Sequence, residues 1–585
     1  MRTYHERASR EMRLERPSAT VTPIMRKLVN DAHAMLARGP LDARQRATTA
    51  RAYAIDHLDE LHEQLRAQFE RRGIGYHRCA TAAGAAAKVA ELLGDAKRVA
   101  KSKTMVGEEV GLTHALRARG MEVLETDIGE YIVDIEGRGP SHITAPALHL
   151  NRTRIKEMLE RTGIELEDDD PVRLSRVVRD AVGAFFEDCD AGITGANAVV
   201  ACSGRITIVE NEGNVSLGAS YPKLHIAITG IEKVVADEAG ALAILEVLAP
   251  SATAQPLTSF THFLADPLPG QQRHVVFVDN GRSRILRDPR YREVLKCIRC
   301  GACMNGCPVY RAAGGLSYGS PYMGPIGAVV SPLLWPDGRY ADLQFASSLC
   351  GQCTEECPVG IPIHRMLLDL RADAVKDHHV ADAKERLAWK GFAAAFGGAT
   401  RARAATALTR IGLRSFGRTI RPPGPLRDDP RLLPDPSLDH NPELLTSAAA
   451  RRDVIPEATI AEPPPADRAA LFTQRTAQLG VTVTDSAEPR DGDIRLRATA
   501  AIASTGSVLL TGEAASRRPI LAASRVVVEV DRTTIVAFPH NLRDYLGDGD
   551  ALILTGASRT ADVEKILVRG IHGAEEMVVV LGGEG

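Results

Sequence analysis

Seven cysteines within 61 residues carry the clearest chemistry in this 585-residue chain: Cys297, Cys300, Cys303 and Cys307, then Cys350, Cys353 and Cys357. The first four read C-x2-C-x2-C-x3-C-P, the bacterial ferredoxin spacing for iron–sulfur clusters. Three thiolates two residues apart wrap one cluster, while the fourth, turned away by its proline, reaches the neighbouring cluster. The spacing therefore predicts Cys297, Cys300, Cys303 and the distant Cys357 around cluster 1. Cys307, Cys350 and Cys353 are left for cluster 2. Ten positions before Cys357 stands Ser347, so cluster 2 is one thiolate short. It is either a [3Fe-4S] cluster or a [4Fe-4S] cubane whose fourth iron has a non-cysteine ligand or an open position. Paired C-x2-C motifs also suit zinc, but seven thiolates with two Cys-Pro endings fit two electron-transfer clusters better. The remaining cysteines, Cys79, Cys189 and Cys202, are scattered and read as buried small hydrophobes.

Positioning two clusters takes more than their loops, and the length allows roughly three to five domains. Lys plus Arg number 72 against 74 for Asp plus Glu, so no charge excess argues for nucleic acid. No apolar run approaches membrane length, and MRTYHERASREMRLERP has no apolar signal core, which predicts a cytoplasmic protein. Residues 1–69 have helical spacing through Ala54, Leu58, Leu61 and Leu65. From 70 to 290 helices alternate with short apolar strands, such as the helix 80–93, strand 98–100, helix 107–119 and strand 121–125. This alternation predicts an α/β layer with a largely parallel sheet. The cluster module occupies 291–380, followed by a helical and Arg/Pro-rich linker over 381–460. Between Arg401 and Arg427 seven arginines occur with no acid. A partner or an anionic membrane surface would explain them, and so would a solvated linker face.

An internal repeat lies past the linker. GITGANAVVACSGRITIVENEGN (192–214) has the same order of small residues and strands as RATAAIASTGSVLLTGEAASR (497–517). Each reads as an Ala-rich helical start, a turn and a β-branched strand, with a further strand at 223–229 and 524–530. Residues 461–585 therefore form a second, shorter α/β unit, expected to lack the first unit's helical lead-in.

Several stretches resemble a known family: KSKTMVGEEVGL (101–112), ETDIGEYIVDIEGRGPSHITAPALH (125–149), CIRCGACMNGCPVYR (297–311), YGSPYMGPIG (318–327) and SSLCGQCTEECPVGIP (347–362). They look like the iron–sulfur B subunits of bacterial L-lactate utilisation systems, and the likeness runs from about 50 to 390. The tail, SRTADVEKILVRGIHGAEEMVVVLG (558–582), resembles the end of the C subunit of the same systems. The resemblance implies LUD-type open α/β sheets, similar to those of CoA transferases and sugar-phosphate isomerases. It implies an electron-transfer component of a complex oxidising L-lactate to pyruvate, with a Cys-Cys-Gly-motif redox protein as partner. Seven cysteines recur in that family, so Ser347 belongs to its pattern. The alternative is a ligand-binding enzyme of the CoA or sugar-phosphate kind whose clusters are structural or redox-sensing.

Oxidising a 2-hydroxy acid needs a cation for the carboxylate and a base or metal near the hydroxyl. Lys101 or Lys103 and His142 are candidates, among the polar residues Glu108, Glu109, Asp127, Glu130, Tyr131 and His149. Solvated lysines and a helix opened by Glu108 and Glu109 are the competing account. Ser558, Arg559, Thr560 and Asp562 are expected at a helix start that continues through Val563, Ile566 and Leu567, serving an anion or simple capping. FVDNGRS (277–283) has the same ambiguity, and no G-x-G-x-x-G opens a helix after a strand.

Overall fold

A computed structural model of the chain describes residues 3–14, 17–376, 383–398, 400–401, 403–404, 462–560, 568–569 and 571–582. The chain divides into two compact units, 1–371 with 460–585, and 372–459. In the second unit the helix Ala383–Phe396 is described, and most of the arginine-rich stretch lies outside the described residues.

The first unit opens with helices Tyr4–Leu14, Pro17–Leu36, Ala43–Asp56 and Leu58–Arg71. Strands β1 (Ile74–Cys79), β2 (Arg98–Lys101), β3 (Glu122–Glu125) and β4 (Ala191–Thr194) follow. Then come β5 (Ala198–Val200), β6 (Ile206–Glu210), β7 (Leu224–Gly230), β8 (Val234–Val235), β9 (Phe260–Leu264) and β10 (Gln272–Val278). A six-stranded sheet, β1-β10-β7-β4-β2-β3, is parallel throughout. Its inner strands are apolar on both faces because both are covered. Val275 and Phe277 pack towards Leu65 and Phe69, whereas Val276 and Val278 pack towards Val89 and Leu116. Local chemistry sets the helix ends. Thr81 caps Ala82–Leu93 by accepting from Gly84 N, and Asp170 accepts from Val172 N and Arg173 N ahead of Pro171–Glu187. The expected helix 107–119 is instead two, Met105–Glu109 and Leu112–Arg117, broken at Gly111 with φ +63°.

The second copy is built from the helix Pro465–Gln478 and strands β11 (Thr482–Thr484), β12 (Asp493–Arg497), β13 (Ala500–Ile502), β14 (Ser507–Thr511), β15 (Arg525–Asp531), β16 (Ile535–Val536) and β17 (Ala551–Leu554). Its last described strands are β18 (Arg559–Thr560), β19 (Val568–Arg569) and β20 (Glu576–Gly582). Two expectations are corrected here. The Ala-rich starts of the repeat are strands, β5 and β13, because their side chains are buried between layers where alanine packs closely. The second copy also has a helical lead-in, Pro465–Gln478, which buries Phe472.

The copies share one sheet. Its order, β16-β13-β14-β17-β9-β6-β5-β8, reads the same from either end once each strand is matched to its repeat partner. The seam is antiparallel, β17 against β9, with Ala551 opposite Phe263 and Leu554 opposite Phe260. Pairing there removes two exposed strand edges. The parallel sheet β11-β20-β15-β12 repeats β1-β10-β7-β4.

Candidate functional site

The two cysteine motifs are one local structure used twice, fifty positions apart. Arg299 and Leu349 both have left-handed φ, +62° and +56°, and each is followed by a cysteine and then a glycine, Gly301 and Gly351. A short helix follows in both, Ala302–Gly306 and Gln352–Glu355, before Cys307-Pro308 and Cys357-Pro358. In the first motif Arg299 N donates to Cys297 Sγ at 3.4 Å, and in the second Leu349 N donates to Ser347 Oγ at 3.1 Å. Ser347 thus takes the place of Cys297 with its local hydrogen bond preserved.

Cys297, Cys300, Cys303 and Cys357 line one void together with Ile143 and Ile326. Cys307 and Cys353 both have Cys350 as an electrostatic neighbour. Five of the seven cysteines are buried, Cys297 is half-buried and Cys350 is exposed. Burial pushes the thiols of Cys300, Cys303, Cys307, Cys353 and Cys357 up, and nearby sulfurs push them further. Such thiols become ligands only where positive charge compensates them, which iron supplies. Backbone N–H groups aimed at sulfur complete a donor set that fits iron–sulfur clusters: Tyr310 N to Cys307 at 3.5 Å and Ile361 N to Cys357 at 3.4 Å.

Side chains from several elements hold these loops. Arg51, fully buried, donates to the carbonyls of Leu295 and Lys296 in the approach to the motif and to Glu232 and Val234 in the α/β layer. Arg44 reaches the carbonyls of Glu355 and Cys357. Lys233 Nζ donates to the Cys297 carbonyl at 2.6 Å. Burial pushes the Lys233 ammonium down to about 7, with Glu232 opposing and Arg299 and Arg51 reinforcing. Arg282 lies between Glu109 (2.7 Å) and Glu232 (2.6 Å), all three side chains at most 1% exposed. Burial raises the Glu232 carboxyl, but Arg282, Lys233 and Arg299 outweigh it and hold it at about 2. Arg299 stacks its guanidinium over Tyr322 at 4.3 Å.

A cavity of about 670 Å³ adjoins the first motif, and Ile143, Ile298 and Arg299 line both it and the cysteine void. Lys103 and His142 line the cavity, but Lys101 does not. Lys101 is buried in an ion pair with Glu125 at 2.8 Å and Glu108 at 3.3 Å. Burial works against its charge, and those carboxylates more than restore it. His142 Nε2 donates to Asn305 Oδ1 at 3.1 Å while Nδ1 accepts from Thr144 N, so the ring joins the α/β layer to the cluster loop. Asp127 caps the helix Ile128–Glu136, on which Tyr131 is half-buried, and Glu130 lies 3.7 Å from Lys103. His149 pairs with Glu136 at 2.8 Å. In FVDNGRS, Asn280 donates to Glu109 and Asp279 accepts from Ser283, both structural uses.

Ser558 does not cap a helix, because Arg559–Thr560 is a strand paired with Val568–Arg569, with Arg559 lining the cavity. Asp562, Val563, Ile566 and Leu567 lie outside the described residues. Cys79, Cys189 and Cys202 are half-buried rather than buried, and Cys202 donates to Glu238 at 3.2 Å. Sequence reasoning passed over Arg299, Lys233 and the Arg282 network. A cation between two ligand-spaced cysteines was the available signal for Arg299.

Fold and site together define the class, an α/β domain joined to a two-cluster iron–sulfur module. Residues 62–286 match the LUD domain and residues 293–361 match the 4Fe-4S dicluster domain. Lactate utilization protein B of Bacillus cytotoxicus is 41% identical over 401 residues, spanning 66% of this chain and 84% of that protein. The protein of the same name from Bacillus thuringiensis matches to the same extent. A solved DUF162 family protein from Deinococcus radiodurans aligns at 17% identity and a TM-score of 0.22, over 38% of this chain and 98% of that one. The chain belongs to the lactate utilization protein B family. Among the described residues no helix is long and apolar enough to cross a membrane.

Proposed function

We propose that this chain is the iron–sulfur electron-transfer component of a complex that oxidises L-lactate to pyruvate. Cys297, Cys300, Cys303 and Cys357 hold cluster 1, and Cys307, Cys350 and Cys353 hold cluster 2. The observation that carries the wiring is the void shared by Cys357 and the first-motif cysteines. When assembled, the clusters supply one-electron relay positions. Lactate gives up two electrons and two protons, so a two-electron acceptor is needed alongside, and a Cys-Cys-Gly-motif redox protein is the partner proposed. Lys233 and Arg44 fix the carbonyls of Cys297 and Cys357, and the N–H donors at sulfur help set the potentials. Ser347 leaves cluster 2 with three cysteine ligands, and Cys350 exposes that side to solvent or a partner. We assign cluster 1 as [4Fe-4S], and cluster 2 as [4Fe-4S] or [3Fe-4S]. The names of its relatives support the placement in lactate metabolism, and the reading places the protein in the cytoplasm.

The test is anaerobic purification with iron and sulfide counts and EPR, followed by lactate-dependent dye reduction with and without the Cys-Cys-Gly protein. The expected outcome is about seven to eight irons per chain, with dye reduction only when the partner is present. Stoichiometric zinc in a colourless protein, or vigorous turnover by this chain alone, would refute the reading.

A further inference from the structure

The large cavity has an imbalance of charge. Of its four carboxylates Asp31 is exposed, and the other three are already engaged: Glu210 accepts from Val215 N at 2.7 Å and Ser216 N at 3.0 Å and pairs with His262 at 2.7 Å. Glu212 accepts from Ile128 N at 3.1 Å, and Asp127 from Glu130 N. Its cations are engaged less fully. Arg559 has no carboxylate partner among the described residues, and burial, reinforced by Arg569, pushes it down to about 10. With the Gln255 amide turned to satisfy its neighbours, the amide oxygen accepts from both Arg559 Nε and Nη2 at 3.1 Å, leaving the guanidinium held but not neutralised. Lys103 Nζ is buried without a hydrogen-bond partner, with Glu130 3.7 Å away, and Arg299 Nη1 also has none, while its Nη2 lies 3.8 Å from Glu232. A buried cation with no carboxylate beside it, as Arg559 is among the described residues, is costly unless something anionic joins it.

Between these cations the wall is apolar, formed by Met25, Leu28, Ile208, Ile228 and Leu248. At about 670 Å³ the cavity falls within the range of about 300–1,000 Å³ typical of sites for organic molecules much larger than a three-carbon hydroxy acid. Its wall is composite. Arg299 comes from the first cysteine motif, Lys103 from the α/β layer, and Arg559 from the second copy, where Arg559 N donates to Asn211 O at 2.7 Å.

We infer that this cavity binds an organic anion with an apolar body and a phosphate or carboxylate head, and that the second copy completes the site through Arg559. The anion meets Arg559 and the unused donors of Lys103 and Arg299, the body covers the apolar wall, and one end lies against the loop that carries Cys297 and Cys300. The inference is independent of the electron-transfer reading, because it needs only the cavity.

Equilibrium dialysis of the anaerobically purified full-length protein against 1-naphthyl phosphate tests it, with inorganic phosphate and L-lactate as comparators and iron content read on the same samples. The expected result is saturable binding of one 1-naphthyl phosphate per chain, about tenfold or more tighter than either comparator. Arg559→Met weakens binding about tenfold or more, and Arg559→Lys, which keeps the charge but not the fork, weakens it less. Ala252→Phe, which fills the cavity and leaves every cation in place, removes binding. Absence of saturable binding, unchanged affinity in both Arg559→Met and Ala252→Phe, or L-lactate binding as tightly as the naphthyl ester overturns the inference. Failure of binding with iron intact overturns this inference alone, whereas wild-type protein without iron overturns the cluster assignment alone.

Discussion

The two α/β copies have nearly the same strands and very different chemistry. In the first, β6 ends at Glu210 and the turn after β7 carries Glu232 and Lys233. In the second, β14 ends at Thr511 and the matching turn after β15 carries Thr533 and Thr534. Among the described residues the second copy has no counterpart of β2 and β3, the strands that bring Lys101 and Glu125 together. What is repeated is the packing, while the buried Glu109–Arg282–Glu232 network belongs to the first copy and the second copy has pairs of its own on buried arginines, Arg517 with Asp550 and Arg525 with Asp493. Fold and function are separable in this way because a sheet needs only apolar inner faces, whereas a charged site needs particular partners at each position.

The two cysteine motifs give the sharpest form of that comparison, and the largest expected effects. Cys357→Ser should remove the EPR signal and iron of cluster 1, although it lies in the second motif, and Cys307→Ser should remove those of cluster 2. If each variant damaged the cluster of its own motif instead, the crossed wiring would fail.

Next in size is the buried network of the first copy. Arg282→Met leaves Glu109 and Glu232 buried without their cation and should cost about 3–5 kcal/mol in denaturant unfolding. At the corresponding turn of the second copy, Thr533→Ala should stay within about 0.5 kcal/mol, because Thr533 is exposed. Equal costs would mean that the copies share the load.

The lead-in helices differ as well. His62 on Leu58–Arg71 accepts from Tyr76 at Nδ1 (3.0 Å) and donates to the Ile231 carbonyl at 2.9 Å, and burial pushes it down from 6.5 to about 4. Its folded value lies below its unfolded one, so the unfolded chain takes up the proton first as pH falls. The neutral ring's contribution is complete above 6.5 and is lost as pH falls towards 4, by about 3 kcal/mol at most. Pro465–Gln478 contains no histidine. His62→Gln should therefore flatten the acid side of a stability-against-pH curve over that window, and an unchanged slope would remove His62 as the cause.

The smallest effect belongs to the second copy's surface. Arg490 and Glu576 pair at 3.2 Å with side chains 64% and 45% exposed, so Arg490→Ala should change stability by about 0.5 kcal/mol or less. Thermal unfolding at low and high salt measures it.

Much of this was legible in the sequence. Cysteine spacing marked the module and the serine that stands in a cysteine's place at Ser347, since ligand geometry depends on short local spacings that the chain displays directly. Apolar periodicity marked the parallel layer, and the repeat was visible in the matching order of small and β-branched residues. Errors fell where local pattern and tertiary burial disagree. The Ala-rich start of the second repeat, Ala500–Ile502, reads as helical because alanine favours helices in isolation, yet it is a strand buried between layers, as is Ala198–Val200 in the first. Ser558 and Thr560 looked like caps, yet pairing with Val568–Arg569 drew their neighbourhood into a strand.

By itself, then, the sequence determined which residues are competent to hold clusters and which segments alternate as α/β layers, because both depend on neighbours within a few positions along the chain. Tertiary structure alone decided that Lys101 is locked in an ion pair while Lys103 lines a cavity, that Arg282 lies between Glu109 and Glu232, and that Arg559 of the second copy reaches the first. Those relations join residues tens to hundreds of positions apart, and they arise from the burial and strand pairing that bring such residues into contact.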